Sequence, residues 1–213
     1  MTITSMAQLF DLLQDKYGSP YYTNPEKTLF INRAIVDFVQ AFLPPEGEGM
    51  NVDLNEDAMS QIATLIYSLP YMNMSSAGVV TKASVQTALN TAIAGGLLWR
   101  RLNTGWVLGG ETKLAKWTRQ NDYYEFKANY FKNPSLDSPR FFETATTYQF
   151  DPINTNAKLY FTVLKYPVTV DIDTVVNCDL PDFTHNKIVA MALEFAGIGS
   201  RDENLAQLLQ LKK

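Results

Sequence analysis

Thr144-Ala145-Thr146-Thr147-Tyr148-Gln149-Phe150 and Leu159-Tyr160-Phe161-Thr162-Val163-Leu164-Lys165-Tyr166-Pro167 are the stretches whose reading decides the fold. Successive side chains of a strand point to opposite faces. Thr146, Tyr148 and Phe150 therefore share one face of the first run. Leu159, Phe161 and Val163 share one face of the second and alternate with Tyr160, Thr162 and Leu164. Asp151-Pro152-Ile153-Asn154-Thr155-Asn156 between them is rich in turn formers, which predicts that the two runs pair as an antiparallel hairpin. The hairpin's aromatic side chains are expected to be exposed in a monomer and covered by a neighbouring subunit.

Outward from this run the pattern turns helical on both sides. Ser5 is a cap candidate for a short helix with Met6, Leu9, Phe10 and Leu13 on one face and Gly18 near its stop. Asn24-Pro25-Glu26 reads as N-cap, proline at the first helical position and an acid in the first turn. Ile31, Ile35, Phe38 and Phe42 follow as a stripe, widened by Phe30, Ala34 and Val39. Pro44-Pro45 stops this helix, and Glu46-Gly47-Glu48-Gly49 is a polar connector. A third helix starts at Asn55 or Asp57, with Met59, Ile62, Leu65 and Ile66 inward.

Ser84 to Ile93 reads as helix, whereas Leu97-Leu98-Trp99 and Trp106-Val107-Leu108 read as strands flanking Asn103-Thr104-Gly105, with helix open for 97–102. Lys113 to Phe131 has the amphipathic pattern of a helix, with a break near Gln120-Asn121. Near the C-terminus Ile188, Met191, Ala192 and Phe195 form a stripe ended by Gly197 and Gly199. Ser200-Arg201-Asp202-Glu203 then matches a capping box before Leu205, Leu208 and Leu209, with Lys212 and Lys213 at the negative end of the helix dipole. The fold class is α+β: a helical bundle core from N-terminal and C-terminal helices (1–70 and 178–213) with an inserted antiparallel β-rich lobe (71–177).

Composition narrows the function. Of 213 residues 46% are hydrophobic and 19% charged, which describes a globular chain rather than a disordered one. A net charge of -4 argues against a wholly basic nucleic-acid binder. The apolar stretches are broken well short of a bilayer span, and the first residues lack the pattern of a signal peptide, so neither membrane insertion nor export is expected.

Candidate chemistry is sparse. Cys178 and His185 are the only cysteine and histidine, enough to name a nucleophile and base but not to fill a zinc site. His185, in the first turn of its helix, is expected to cap or to face solvent. Asp171, Asp173, Asp179 and Asp182 offer hard oxygen ligands, and Asp171-Ile172-Asp173 alternation puts two carboxylates on one strand face, but without EF-hand spacing. Gly95-Gly96 and Gly109-Gly110 lack the Lys-Ser or Lys-Thr of a P-loop, and Gly197-Ile198-Gly199 follows a helix where a dinucleotide loop follows a strand. No enzyme activity, metal or cofactor is expected.

Trp99 to Lys132 carries more information. Arg100, Arg101, Lys113, Lys116, Arg119, Lys127 and Lys132 stand against Glu111, Asp122 and Glu125, a local +4 that leaves -8 elsewhere. Trp99, Trp106, Trp117, Tyr123, Tyr124, Tyr130 and Phe131 are interleaved. Arg and aromatic residues anchor interfaces, and an acidic remainder complements such a face. The candidate interface is Trp99, Arg100, Arg101, Trp106, Trp117, Arg119, Tyr148, Phe150, Tyr160 and Tyr166. The rival reading is a nucleic-acid-binding accessory protein that uses 99–132.

Four places resemble the head-to-tail connector, or neck ring, proteins of tailed bacteriophages, especially the crAss-like group. They are Tyr17-Gly18-Ser19-Pro20-Tyr21-Tyr22-Thr23 before Phe30-Ile31-Asn32-Arg33-Ala34; Phe131-Lys132-Asn133-Pro134 leading to Ser138-Pro139-Arg140-Phe141; Leu159 to Pro167; and Leu180-Pro181-Asp182-Phe183-Thr184-His185-Asn186-Lys187-Ile188-Val189. The resemblance spans most of the chain. It implies a helical core carrying a β-rich lobe, repeated around a ring, commonly a dodecamer, with no active site. Its partners are then other copies of itself, the portal protein and further neck or tail rings, with DNA passing through the lumen. The place implied is the virion neck, after synthesis in the host bacterial cytoplasm.

Overall fold

The computed structural model describes residues 1–17, 21–43, 56–129 and 132–197. The fold is mixed α+β, in two compact units. Of the described residues, those within 1–43, 56–65 and 167–197 belong to the first and those within Ile66–Tyr166 to the second. The capping box at 200–203 with the leucines after it, the stop at 44–45 with its connector, Asn55, Tyr130 and Phe131 all lie outside the described residues.

In the helical unit, α1 (Ile3–Tyr17), α2 (Asn24–Gln40) and α6 (His185–Phe195) pack on one another, and α3 (Glu56–Ile62) continues into a short 3-10 turn, Ala63–Leu65. α1 is capped by Thr2 rather than Ser5: the Ser5 N–H donates to Thr2 Oγ1 at 3.2 Å, so the helix starts earlier than expected. α2 likewise starts one residue early, with Thr23 as N-cap. The Thr23 N–H and hydroxyl both donate to the Glu26 carboxylate at 2.8 Å, in the manner of a capping box.

α1 buries Ile3, Met6 and Phe10, and α2 buries Ile31, Ala34, Ile35, Phe38 and Val39. In α6 every residue from Ile188 to Leu193 is buried, broader than the expected stripe, which marks a helix enclosed all round. Met59 is 44% exposed and Ile66 begins a strand, so two of the four residues expected to face inward on α3 do not.

The segment after Pro167 belongs to this unit because its backbone is tied to α2. Asn32 Nδ2 donates to the Val170 carbonyl at 2.9 Å, and the Val170 N–H donates back to Asn32 Oδ1 at 2.8 Å, the pattern of a strand neighbour made by one side chain. Asn177 Oδ1 accepts the Ile3 N–H at 2.8 Å. The unit boundaries therefore fall at 65/66 and 166/167, not at 70/71 and 177/178.

The β-rich unit is two sheets. β1 (Ile66–Ser68), β2 (Met72–Asn73), β4 (Leu98–Leu108), β5 (Glu111–Leu114) and β9 (Lys158–Lys165) form one, in the order β1-β9-β4-β5, with β2 also on β9. β3 (Val79–Thr81), β6 (Lys116–Trp117), β7 (Arg140–Glu143) and β8 (Thr147–Asp151) form the other, in the order β3-β8-β7-β6. α4 (Lys82–Ala92) contributes Val85 and Leu89 to the core between them, and α5 (Gln120–Ala128) packs on β7.

The expected hairpin does not form. β8 and β9 lie in different sheets and meet face to face: Tyr148 and Phe150 lie 5.3 Å and 6.3 Å from the Phe161 ring. Side-by-side pairing would leave both apolar faces needing a further layer. Face-to-face packing lets each cover the other. Trp106, Phe141, Tyr148, Phe150 and Phe161, all deeply buried, make this core, and each contributes about 1.5–3 kcal/mol by its burial.

Two further readings of the middle third change. Asn103-Thr104-Gly105 is not a turn but the centre of one eleven-residue strand, β4, paired along β9 with two register shifts. Lys113 to Phe131 is not one helix: its first part supplies β5 and β6, and helix begins only at Gln120. No helix among the described residues is long and apolar enough to cross a membrane.

Candidate functional site

The alternation that makes strands also decides which candidate residues remain available. Arg101, Trp106, Tyr148 and Phe150 are buried in the sandwich, with exposures of 6%, 0%, 2% and 1%. The Arg101 guanidinium lies 4.6 Å over the Phe141 ring, and burial lowers its pKa. These four cannot meet a neighbouring subunit, which corrects the expectation that the aromatics of the 148–161 region are exposed in the monomer. Alternation says which side chains share a face. It does not say that a second sheet will close over that face.

The other six keep accessible surface. Trp99, Arg100, Trp117 and Tyr160 are half-buried, and Arg119 and Tyr166 are exposed. Trp99 and Tyr166 are brought together, ring centroids 4.9 Å apart, where the start of β4 meets the end of β9. Tyr160 lies across Gly105, its register partner on β4, and 6.4 Å from Tyr71. A glycine with ordinary backbone angles sits there because the ring occupies the space of its missing Cβ.

Beyond Arg100 and Arg101, the basic residues of 99–132 separate into two sets. Lys113 pairs with Glu111 at 3.3 Å and with Asp137; Lys127 lies 3.7 Å from Asp151, which also accepts the Tyr123 hydroxyl. Tyr123, buried against Phe142 at 4.7 Å, docks α5 on the sheet, and its burial raises the phenol pKa.

In the second set, Lys132 meets Phe126 of the same helix together with Arg140 of β7. The Arg140 guanidinium lies 4.1 Å over that ring and donates to Thr118 Oγ1 at 3.3 Å; Lys132 Nζ lies 5.8 Å from the ring centroid. Lys116 is the register partner of Arg140 across the parallel β6–β7 pair, so their Cα atoms are about 5 Å apart on one face. Arg119 follows at the N-cap of α5. Among the described residues no ion pair joins Lys116, Lys132 or Arg140 to a carboxylate, and Asp122 and Glu125, exposed on α5, are the acids carried by that helix. Arg140 is absent from the candidates that the sequence suggests. Its place follows from β6 pairing with a strand more than twenty residues away, which leaves no local signal.

The soft nucleophile candidates are in structural roles. His185 is 1% exposed, not solvent-facing as expected, and its Nε2–H donates to the Leu180 carbonyl at 3.0 Å. That bond leaves Nδ1 as the bare nitrogen, with Asp182 at 3.9 Å, and burial holds the imidazole pKa below its ordinary 6.5. Burial pushes the Cys178 thiol up to about 11, so it is protonated at neutral pH. An activated thiol needs the opposite shift.

The four aspartates have backbone or side-chain partners rather than a shared ligand. Asp171 accepts the N–H groups of Asp173 and Thr174 in a tight loop closed by the Asp171–Val176 bridge, not in a strand. Asp173 accepts from Asn24, Asp179 from the Val168 N–H, and Asp182 pairs with the Met1 amino group.

A groove of about 580 Å³ runs beside β2, β3 and α4, lined by Met72, Ser75, Thr81, Ser84, Thr87 and Thr91 among others. Its hydroxyls are committed locally: Thr87 and Thr91 donate to carbonyls one helical turn back, Thr81 caps α4, and Ser75 Oγ accepts the Val79 N–H. A scan of protein-family models finds none that matches this chain, and a search of curated proteins finds none similar to it.

Proposed function

We propose that this chain is a structural virion protein: a subunit of a ring in the neck of a tailed bacteriophage that joins portal to tail and extends the DNA channel. The reading comes from the four sequence stretches that resemble connector proteins. One structural observation supports it most: helices from both ends of the chain build one unit, and the sheets are inserted between them at Ile66–Tyr166. That is the organisation the resemblance implies, a helical core carrying a β-rich lobe. Large apolar side chains left outside on both units, among them Leu12 at 67%, Leu29 at 66%, Phe183 at 65% and Leu97 at 63% exposure, suit a protein whose surface is covered by neighbours. Head-to-tail contacts that close into a ring would cover such surfaces on every copy alike. Gold-labelled antibody against the chain, applied to the parent phage particles, tests the proposal. Label at the portal–tail junction supports it, and label confined to the capsid shell or the distal tail, or absent from disrupted particles, overturns it.

A further inference from the structure

Charge is divided between the two units. Among the described residues the β-rich unit holds eleven Lys and Arg against six Asp and Glu, a net +5, and the helical unit holds four against eleven, a net -7. The positive charge has a focus. Arg140 and Lys132 lie over the Phe126 ring, Lys116 is the register partner of Arg140 on the adjacent strand, and none of the three has a carboxylate partner among the described residues. Like charges held directly opposite on a sheet destabilise it, so a site of this kind is relieved by an anionic group from outside.

We infer that this basic ledge, Lys132 and Arg140 over Phe126 with Lys116 on the neighbouring strand and Arg119 at the start of α5, receives the acidic helical unit of a second copy of the chain, head to tail. The contact rests on the ring reading and gives it a polarity: the β-rich unit of one subunit faces the helical unit of the next. Glu56 and Asp57, exposed in the first turn of α3 and without a basic partner among the described residues, are the carboxylates assigned to it. A second copy suits the ledge better than a nucleic acid. The chain's net charge of -4 and pI near 5.0 repel a polyanion at long range, whereas another copy presents both signs. Phe126 also has its ring occupied by Arg140 and Lys132 rather than free for a base to stack.

The test uses the full chain in sedimentation velocity from micromolar to about millimolar concentration at low and high salt. The contact predicts concentration-dependent association whose dissociation constant rises at least about tenfold in the Lys116→Glu, Lys132→Glu double variant. These are two exposed side chains outside the core, and unchanged tryptophan fluorescence checks the fold. Mixing that variant with Glu56→Lys, Asp57→Lys restores association between the two, although each is weak alone. Equal association by the Lys116→Glu, Lys132→Glu variant overturns the inference, as does a chain that stays monomeric throughout. A labelled DNA duplex bound through the ledge by a non-associating chain overturns it in favour of a polyanion. A monomer in solution sinks this contact only; the location of the chain in the particle is decided separately by the gold labelling.

Discussion

Replacing Gly105 by alanine isolates the packing that fixes the longest strand pair of the molecule. A Cβ built on Gly105 falls well inside 3.0 Å of Cε1, Cζ and Cδ1 of Tyr160, the residue at the same register on β9. The ring is half-buried and flanked by Tyr71, so it can leave only by swinging off β4 into solvent. Overpacking of this kind costs about 1–3 kcal/mol, and breaking the edge-on Tyr71–Tyr160 pair adds about 0.5–1.5 kcal/mol. Against this, alanine restricts the unfolded chain more than glycine does, which favours it by about 0.5–1 kcal/mol, and Gly105 has no left-handed backbone angle to protect. The net expectation is a destabilisation of about 1–3 kcal/mol. In a Tyr160→Ala background the steric term vanishes and the same substitution becomes neutral or stabilising by about 0.5 kcal/mol. All three tryptophans, Trp99, Trp106 and Trp117, lie in the β-rich unit, so urea unfolding followed by fluorescence reads that unit alone. Effects that add within about 0.5 kcal/mol across the double-mutant cycle would refute the reasoning.

Val175 adopts φ 55, a left-handed conformation that a β-branched residue tolerates poorly, and its side chain is 56% exposed. Val175→Gly should relieve about 1–2 kcal/mol of strain against about 0.5–1 kcal/mol for glycine's freer unfolded chain. The net gain of up to about 1 kcal/mol in the helical unit reads as an equal or higher urea midpoint in far-ultraviolet circular dichroism, while a lower midpoint contradicts the strain. His185 titrates lower in the folded chain than its unfolded value of 6.5, so its contribution is complete above pH 6.5 and declines as pH falls below it, where only the unfolded chain takes up the proton. The urea midpoint should fall between about pH 7.5 and 5.5 by less in His185→Gln than in the parent, and equal slopes exclude His185 as the cause. The half-buried Cys178 thiol, at about 11 against an ordinary 9.0, should react with a disulfide reagent at about pH 8 roughly tenfold more slowly than an unhindered thiol, its smaller thiolate fraction being partly offset by a more nucleophilic thiolate. A rate equal to or above that of an unhindered thiol contradicts the raised pKa.

Helices with a full apolar period were legible in the sequence, because spacing and capping are local. Pro25 and Glu26 in the first turn, the α2 stripe of Ile31, Ile35 and Phe38 and the run from Ile188 to Leu193 needed nothing from elsewhere in the chain, although the cap of α2 is Thr23 where Asn24 was expected. The strands around Tyr148 and Phe161 were legible as strands for the same reason. Their partners were not, since alternation constrains the faces of a strand and leaves its neighbours open. Gly105 misleads for a related reason: Asn-Thr-Gly has the composition of a turn, but the glycine answers to a tyrosine on another strand. The first-turn position of His185 suggests a solvent-facing ring, yet position within a turn carries no information about a helix enclosed on every side. Of the candidate interface, the segment rich in bases was visible, but its sorting into core, internal ion pairs and a ledge without carboxylate partners among the described residues depends on the β6–β7 pairing that brings Arg140 beside Lys116.

The central claim is that this chain is a ring subunit in a phage neck, and a cryo-electron microscopy reconstruction of the neck of the parent particle tests it most directly. The account predicts density at the portal–tail junction into which the helical unit and the two-sheet unit each fit, repeated by rotation, with the ledge of Lys116 and Arg140 in one copy against the helical unit of the next. A reconstruction in which every protein of the portal–tail region is traced and none is this chain would contradict it.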